Sequence, residues 1–431
     1  MENFAISVND KRVKYGCYSA NVAMAVVGNL SPLLFLIFEA SYDISFSLLG
    51  MLVLINFCTQ LSIDLAFSFF SHKFNIPKVI KCMPILTIVG LAVYALLPYF
   101  FPAQAYIGLA IGTVIFSASS GLAEVLVSPV VAALPAKDPD SEMSKLHSIY
   151  AWGVVGVVIF GTLFLFLFGS GAWVWLPLIF ALIPVTTCCL FAGVKIPQLE
   201  KPERMSGTLQ FLKNKGVWLC VFAIFLGGAS EVVMAQWSSA YLEQSFGIPK
   251  VWGDIFGVAL FSVALGLGRS LYAKIGKNIG RALFMGAAGA AVCYLCAVCF
   301  SNPIIGLAAC ALTGFCVSML WPGSLIVASD RFPKGGVLIF ALMAAGGDFG
   351  AAIGPQLVGI VTDVALNSTI MQSWAATLGL TIEQFSMKAG MLVGTIFPLL
   401  AAFVFFAISR LRKKESWQGL RKKTDEVTAI E

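Results

Sequence analysis

Long apolar runs constrain this chain more than any other feature of its sequence. The first four are Gly16–Phe38, Phe46–Phe70, Val79–Phe101 and Ile107–Leu134. Each approaches or exceeds the roughly 20 residues that cross the hydrocarbon core of a bilayer. A backbone in lipid has to satisfy its own hydrogen bonds, and runs of this length without alternation of polar and apolar residues indicate helices. The sequence therefore predicts an all-α membrane protein.

Further apolar runs continue the pattern to the end of the chain. They fall at 145–169, 172–194, 216–243, 250–273, 280–300, 303–329, 335–366 and 386–410. The composition agrees, because 59% of the residues are hydrophobic and only 12% are charged, whereas a soluble domain carries about a quarter of charged residues. The chain is predicted to contain twelve transmembrane helices.

A polar segment at 195–215 divides the chain near its middle and leaves six predicted spans on each side. We therefore expect two pseudo-symmetric six-helix bundles, formed by residues 1–194 and 216–410. The dividing segment becomes a linker between them, and residues 411–431 form a basic tail.

Basic residues are distributed unevenly between the two sets of loops. One set, together with the termini and the linker, holds Lys11, Arg12, Lys14, Lys73, Lys78, Lys81, Lys137, Lys145, Lys274, Lys277, Arg281, Arg331, Lys334 and the tail from Arg410 onward. The opposite set holds Lys250 and Lys388. Because Lys and Arg are enriched in cytoplasmic loops, both termini are predicted to be cytoplasmic and the protein to lie in the cell membrane. The net charge of +6 reflects this topology, so we expect lipid rather than nucleic acid around the protein. We also expect the protein to be a monomer.

Motifs of catalysis and of metal binding are missing from the sequence. There is no Walker A loop, no HExxH and no nucleophile elbow. Cys293, Cys296 and Cys299 have metal-like spacing but lie in an apolar helix without histidine, so we interpret them as packing residues. We predict no catalytic residue, no metal and no cofactor, which favours a secondary carrier over a pump or an enzyme.

Charged residues inside the predicted spans are the candidates for function, because burying a charge in a membrane is costly. They are Asp64, Glu124, Glu231, Arg269 and Asp348. Three others, Glu39, His72 and Asp363, lie near helix ends, where we expect water to solvate them.

Glu124 is the strongest candidate because the helix around it is otherwise apolar from Gly121 to Val127. A carboxyl at such a depth suits a group that binds and releases a proton during transport, and we predict that Glu124 is the proton-coupling residue. The alternative is a structural carboxyl paired with a neighbouring helix.

Substrate-binding residues are predicted on several helices. Glu231 and Gln236 share a span with a tryptophan, and His147 and Tyr150 begin another span. Asn29 in the first span and Asp348 near mid-depth complete this set.

Structural or gating roles are predicted for a second set of residues. Arg269 is expected to pair with an acid or to reach toward the membrane surface, and the role of Asp64 stays open between pairing and gating. Gly346, Gly350 and Gly354 form a row that allows helices to approach closely or to slide.

Several motifs occur in an order typical of one known family. The matching residues are Gly121, Leu122, Glu124 and Pro129, then Gly228, Ala229, Glu231 and Val232, then Gly268 and Arg269, then Trp321 and Pro322, and finally Gly346, Gly347, Pro355 and Asp363. On these residues the chain resembles the major facilitator superfamily, and within it the fucose:proton symporter family. Asn29 and Leu30 also fit that family, but Pro32 stands where it has an acidic residue. The resemblance implies the twelve-helix facilitator fold and a carrier that retains the helix-4 acid.

Two functional hypotheses follow from these residues. The first is proton-coupled symport of a small polar solute such as a sugar, by alternating access. The second is a proton-driven antiporter that exports organic cations or amphipathic drugs, suggested by the additional acids Glu231 and Asp348. A sensor without transport activity ranks below both, because the tail after Arg410 is short for a signalling domain.

Overall fold

The computed structural model describes residues 7–70, 73–135, 139–197, 213–275, 278–332, 336–408 and 410. Within these residues, twelve helices are long and apolar enough to cross a membrane. The predicted all-α membrane fold is therefore confirmed. The linker between 198 and 212 and the tail from 411 lie outside the described residues, so the domain boundaries placed there stay predictions.

Six of the candidate membrane-spanning helices precede the linker and six follow it in the described part of the chain. The first half consists of α1 (Val8–Tyr42), α2 (Phe46–Phe70), α3 (Ile76–Phe100), α4 (Ala105–Ala132), α5 (Pro139–Phe168) and α6 (Ser170–Phe191). The second half consists of α7 (Lys215–Phe246), α8 (Lys250–Tyr272), α9 (Ile279–Cys299), α10 (Pro303–Arg331), α11 (Gly336–Leu366) and α12 (Ile382–Ile408). A short helix, Thr369–Thr377, lies between α11 and α12. We call the end of the bundle where α1 begins the terminal end, and the opposite end, where α2 begins, the distal end.

Polar residues placed before the apolar runs start several helices. Asn75 accepts a hydrogen bond from the amide of Lys78 at the start of α3, and Asn278 does the same for Arg281 at the start of α9. Such side chains satisfy amides that have no partner within the helix. Thr381 begins α12 with a reciprocal capping box to Gln384.

Proline interrupts α10 close to the bundle interior. The helix runs from Pro303 to Val317 and resumes at Leu320. Pro322 has no amide hydrogen, so the carbonyl of Ser318, four residues earlier, has no helical donor. That free carbonyl is used by a side chain of α8, as described below.

The glycine row of α11 packs against α7 within the second half. A methyl group on Gly350 would collide with the carbonyl oxygen of Phe225, and one on Gly346 would lie 3.0 Å from the carbonyl oxygen of Val221. A methyl group on Gly354 would lie 3.2 Å from the Cα atom of Ala229. The row therefore serves close packing inside one half, whereas its predicted gating role stays a prediction.

The two halves meet at the distal end, where α2 packs along α11. Gly359 of α11 lies directly against the carbonyl of Phe46, which leaves no space for a side chain. The ring of Trp237 is fully buried between the halves and lies 4.9 Å from the ring of Phe35. Its indole nitrogen donates to the carbonyl of Pro355 at 3.1 Å. Close backbone contact and aromatic packing together close this end of the bundle.

Candidate functional site

Three acids from three helices converge at the interface between the two halves. Asp64 of α2, Glu124 of α4 and Asp348 of α11 each place a carboxylate oxygen within 4.8 Å of the others. We call these three residues the carboxylate cluster. Asp64 and Glu124 belong to the first half and Asp348 to the second, so the cluster bridges the interface.

Few described groups around the carboxylate cluster donate hydrogen bonds to it or balance its negative charge. Asp348 is only 5% exposed, and its Oδ2 has no hydrogen-bond partner among the described residues. The buried Oδ1 of Asp64 is also without a partner in that part of the chain. No described ion pair reaches any of the three acids. Carboxylates at this spacing repel one another when ionised, so the cluster favours the uptake of positive charge.

Solvent reaches the carboxylate cluster at Glu124. Glu124 is exposed to solvent, and its neighbours in the cluster, Asp64 and Asp348, lie on two other helices. The side chain of Tyr150 in α5 is also accessible, with 38% exposure. Tyr150 lies within electrostatic range of Glu124, Glu231 and Arg269. Tyr150 is therefore close to both the carboxylate cluster and the charged residues of the second half.

Arg269 and Glu231 form an ion pair in the second half. The guanidinium Nη2 of Arg269 lies 3.5 Å from Oε1 of Glu231, and its Nε donates to the carbonyl of Ser318 at 3.1 Å. This is the carbonyl that Pro322 leaves without a helical donor. The proline therefore creates the acceptor that orients the arginine. Of the two expectations for Arg269, pairing with an acid is the one that the geometry favours.

Asn29 and Gln236 lie together, nearer the distal end than the cluster. Gln236 donates from Nε2 to the carbonyl of Gly28 at 3.1 Å, which joins α7 to α1. Asn29 bonds to the carbonyl of Ala25 in its own helix at 2.9 Å. Both residues line a cavity of about 10 Å³ beside Asp254, which is room for about one water molecule. These two predicted binding residues are thus separate from the carboxylate cluster.

Two acids that the sequence analysis did not place in the candidate site connect the halves at the distal end. Asp254 is fully buried and accepts hydrogen bonds from Thr162 of the other half at 2.8 Å, from Ser239, and from Lys250 at 3.1 Å. A lysine four residues before an acid on a helix was the available signal. Asp363, expected to be solvated, instead binds backbone amides of α2, as discussed below.

Two histidines cannot be placed in the site. The helix around His147 is described but its side chain lies outside the described part, and His72 lies outside it altogether. Their predicted roles stay predictions. Among the described residues, the candidate site consists of the carboxylate cluster, Tyr150 and the Arg269–Glu231 pair.

Comparisons with known proteins identify the family to which this architecture corresponds. The model of the Major Facilitator Superfamily matches residues 17–355. An uncharacterized MFS-type transporter of Yersinia pestis is 23% identical over 291 residues, which are 66% of this chain and 73% of that protein. These matches agree with the resemblance drawn from the sequence motifs.

Solved structures give the same picture of the fold. A nucleoside transporter, NupG, superposes with a TM-score of 0.71 at 11% identity, covering 93% of this chain and 99% of that chain. A D-xylose-proton symporter gives 0.63 at 16% identity, with 90% and 96% covered. A fucose:proton symporter of E. coli gives 0.59 at 16% identity, with 93% and 98% covered. At these identities the likeness shows the fold alone.

Proposed function

Because the chain belongs to the major facilitator superfamily, we propose that this transporter is a proton-coupled symporter of a small polar solute such as a sugar. Glu124 is the residue that takes up and releases the proton, and Asp64 and Asp348 share this task. The solute binds beside Tyr150, Glu231 and Arg269. The uneven distribution of basic residues supports a cell-membrane protein whose terminal end faces the cytoplasm. We further propose that the protein acts as a monomer.

The observation that carries this proposal is the position of the carboxylate cluster across the two halves. When the acids are ionised, Asp348 of the second half is repelled by Asp64 and Glu124 of the first. When protons bind, the neutral carboxyls no longer repel one another, and they can donate hydrogen bonds once the halves bring their oxygens to within about 3 Å. Proton binding therefore favours approach of the halves at this level, and proton release favours their separation. Alternating access needs such a link between ion binding and the arrangement of the halves.

The antiporter hypothesis has less support from the site. That hypothesis rests on the additional acids Glu231 and Asp348, which could attract a cationic solute. Glu231 is paired with Arg269, so the second half offers a charge-balanced surface rather than a free acid there. Asp348 lies in the carboxylate cluster, and its charge is used in proton binding under the symport mechanism.

The test of the proposal is the variant Glu124→Gln in proteoliposomes. A panel of labelled sugars and cationic dyes first identifies a transported solute, and a cation exporter would move only the dyes. With that solute, Glu124→Gln is expected to abolish uptake driven by a pH gradient while exchange of solute without a gradient continues. Glu39→Gln, which removes a carboxyl at the end of α1 outside the cluster, is the matched control and should retain both activities. Normal pH-driven uptake by Glu124→Gln would contradict the proposal.

A further inference from the structure

Arg269 is oriented so that part of its side chain stays accessible. Its Nε is occupied by the carbonyl of Ser318, while 44% of the side chain is exposed. The contact from Nη2 to Glu231 is 3.5 Å long, whereas a charge-assisted hydrogen bond from arginine to a carboxylate is about 2.7–2.9 Å. The terminal nitrogens therefore retain donors, and a planar guanidinium presents them in the geometry that binds a carboxylate through two parallel hydrogen bonds.

Glu231 leaves a complementary acceptor beside this donor. Its Oε2 is buried and has no hydrogen-bond partner among the described residues. A buried carboxylate oxygen without a donor is costly, so a ligand that supplies a hydroxyl group at this point is stabilised. The pair thus combines donors for an anion on Arg269 with a carboxylate oxygen of Glu231 that lacks a donor.

From this juxtaposition we propose that the transported solute is a hydroxy acid, in which a hydroxyl group lies next to a carboxylate, as in a sugar acid. Arg269 binds the carboxylate, and Oε2 of Glu231 accepts the hydrogen bond of the neighbouring hydroxyl group. A neutral sugar satisfies Glu231 but leaves the donors of Arg269 without an anion. This inference rests on the proposed function and specifies the class of solute that binds at the same site.

The charges around the site agree with an anionic solute carried together with a proton. Tyr150 lies within electrostatic range of Glu124, Glu231 and Arg269, so a bound carboxylate near Arg269 is close enough to influence the carboxylate cluster. A bound anion disfavours ionised carboxylates nearby and therefore favours proton binding at Glu124. One solute anion and one proton together move no net charge across the membrane.

Binding to the purified full-length chain in lipid nanodiscs tests the inference, with calorimetry and thermal stabilisation as readouts. The probes are lactate and gluconate as hydroxy acids, glucose and lactamide as neutral counterparts, and propionate as an acid without the hydroxyl group. We expect lactate or gluconate to bind at least tenfold more tightly than its neutral counterpart. Equal binding of the neutral compounds, or no binding of either hydroxy acid, would overturn the inference.

Variants separate the two parts of the recognition. Arg269→Lys keeps the charge but loses the planar pair of donors, so it should weaken hydroxy-acid binding at least tenfold. Glu231→Gln should remove the preference for lactate over propionate. The double variant Arg269→Gln with Glu231→Gln leaves no unpaired charge, so it should unfold near the wild-type temperature without binding either hydroxy acid. Wild-type affinity in that double variant would overturn the assignment.

The outcome is separable from that of the proton-coupling proposal. Glu124→Gln that binds gluconate but still shows pH-driven uptake would contradict proton coupling at Glu124 and leave the solute assignment intact. Wild-type protein that couples protons to a neutral sugar and ignores hydroxy acids would overturn the solute assignment alone.

Discussion

The side-chain amide of Gln236 donates to the carbonyl of Gly28 at 3.1 Å, and this acceptor is available because Pro32 follows Gly28 by four residues. In a regular helix the amide of residue 32 would occupy that carbonyl, but proline has no amide hydrogen. Pro32 stands where the resembling family has an acid. In this chain its consequence is a hydrogen bond between α1 of one half and α7 of the other.

Pro32→Ala is predicted to remove this connection. The new amide occupies the carbonyl of Gly28, and Gln236 loses its acceptor. In the wild-type protein Gln236→Ala should therefore cost about 1 kcal/mol, whereas in the Pro32→Ala background it should cost close to nothing. Thermal unfolding of the four proteins of this double-mutant cycle measures the difference. Gln60→Ala, which breaks a bond to Asn56 within the first half, should cost the same in both backgrounds.

A second connection at the distal end is made by Asp363. Its carboxylate accepts hydrogen bonds from the amides of Phe46 at 2.9 Å and Ser47 at 2.6 Å. These amides begin α2 and have no acceptor within their own helix. An acid of the second half therefore caps a helix of the first half.

Asp363→Asn is predicted to loosen the distal end. Asparagine retains one acceptor oxygen but presents an NH2 group to the second amide, so one hydrogen bond is lost at a cost of about 1 kcal/mol. Hydrogen exchange at residues 46 and 47 should become about fivefold faster. Ser45→Ala removes the hydrogen bond that the amide of Leu48 donates to the Ser45 hydroxyl oxygen, a bond within the same half. That control should leave exchange at Phe46 and Ser47 unchanged, and equal acceleration in both variants would contradict a connection between the halves.

The sequence predicted the fold more completely than it predicted the site. Apolar length is a local property, so the twelve spans could be read directly from the chain. Asp64, Glu124 and Asp348 were each recognised because a charge in an apolar helix is costly, but their convergence depends on how α2 and α11 of different halves pack. No local pattern carries that information.

Residues near helix ends were the hardest to interpret from the sequence. Asp363 was expected to be solvated because it lies close to the end of its span, yet a helix of the other half begins beside it. Lys388 was counted as a loop residue but is only 7% exposed and donates to the carbonyls of Val298 and Phe300. In both cases the partner is distant in sequence.

Glu142 provides a pH-dependent connection at the terminal end, outside the membrane-spanning segments. It accepts hydrogen bonds from Lys145 at 2.9 Å, from Lys14 of α1 at 3.1 Å and from Tyr18 at 2.9 Å. The hydrogen bonds from Lys145 and then Lys14 lower the pKa of Glu142 from 4.5 to about 2. A lowered pKa means that the ionised form stabilises the folded protein above pH 4.5, and that this contribution is lost as the pH falls toward 2.

Glu142→Gln is therefore predicted to be less stable than the wild type at pH 7. The ion pairs of Glu142 are partly solvated, so the expected loss in the free energy of unfolding is about 1 kcal/mol or less. The difference in Tm between the two proteins should shrink between pH 4.5 and pH 3, because the unfolded wild type binds a proton at this carboxyl in that range while the folded protein keeps it ionised. Glu383→Gln, which removes an exposed acid at the start of α12, serves as the control. A difference that stays constant with pH would show that the ion pairs contribute nothing.

Asp348→Asn is predicted to stabilise the protein, in contrast to most substitutions of buried residues. It removes one of three carboxylates that repel one another, and two unit charges about 5 Å apart interact by about 3 kcal/mol at an effective dielectric constant of about 20. The rise in Tm should be larger at pH 8 than at pH 5, because ionisation of the cluster increases with pH. Asp254→Asn is the opposite control, since Asp254 is paired with Lys250 at 3.1 Å, and its replacement should lower the Tm. A fall in Tm for Asp348→Asn at pH 8 would mean that the cluster is already neutral at that pH. Charge repulsion could then not link proton binding to the arrangement of the halves.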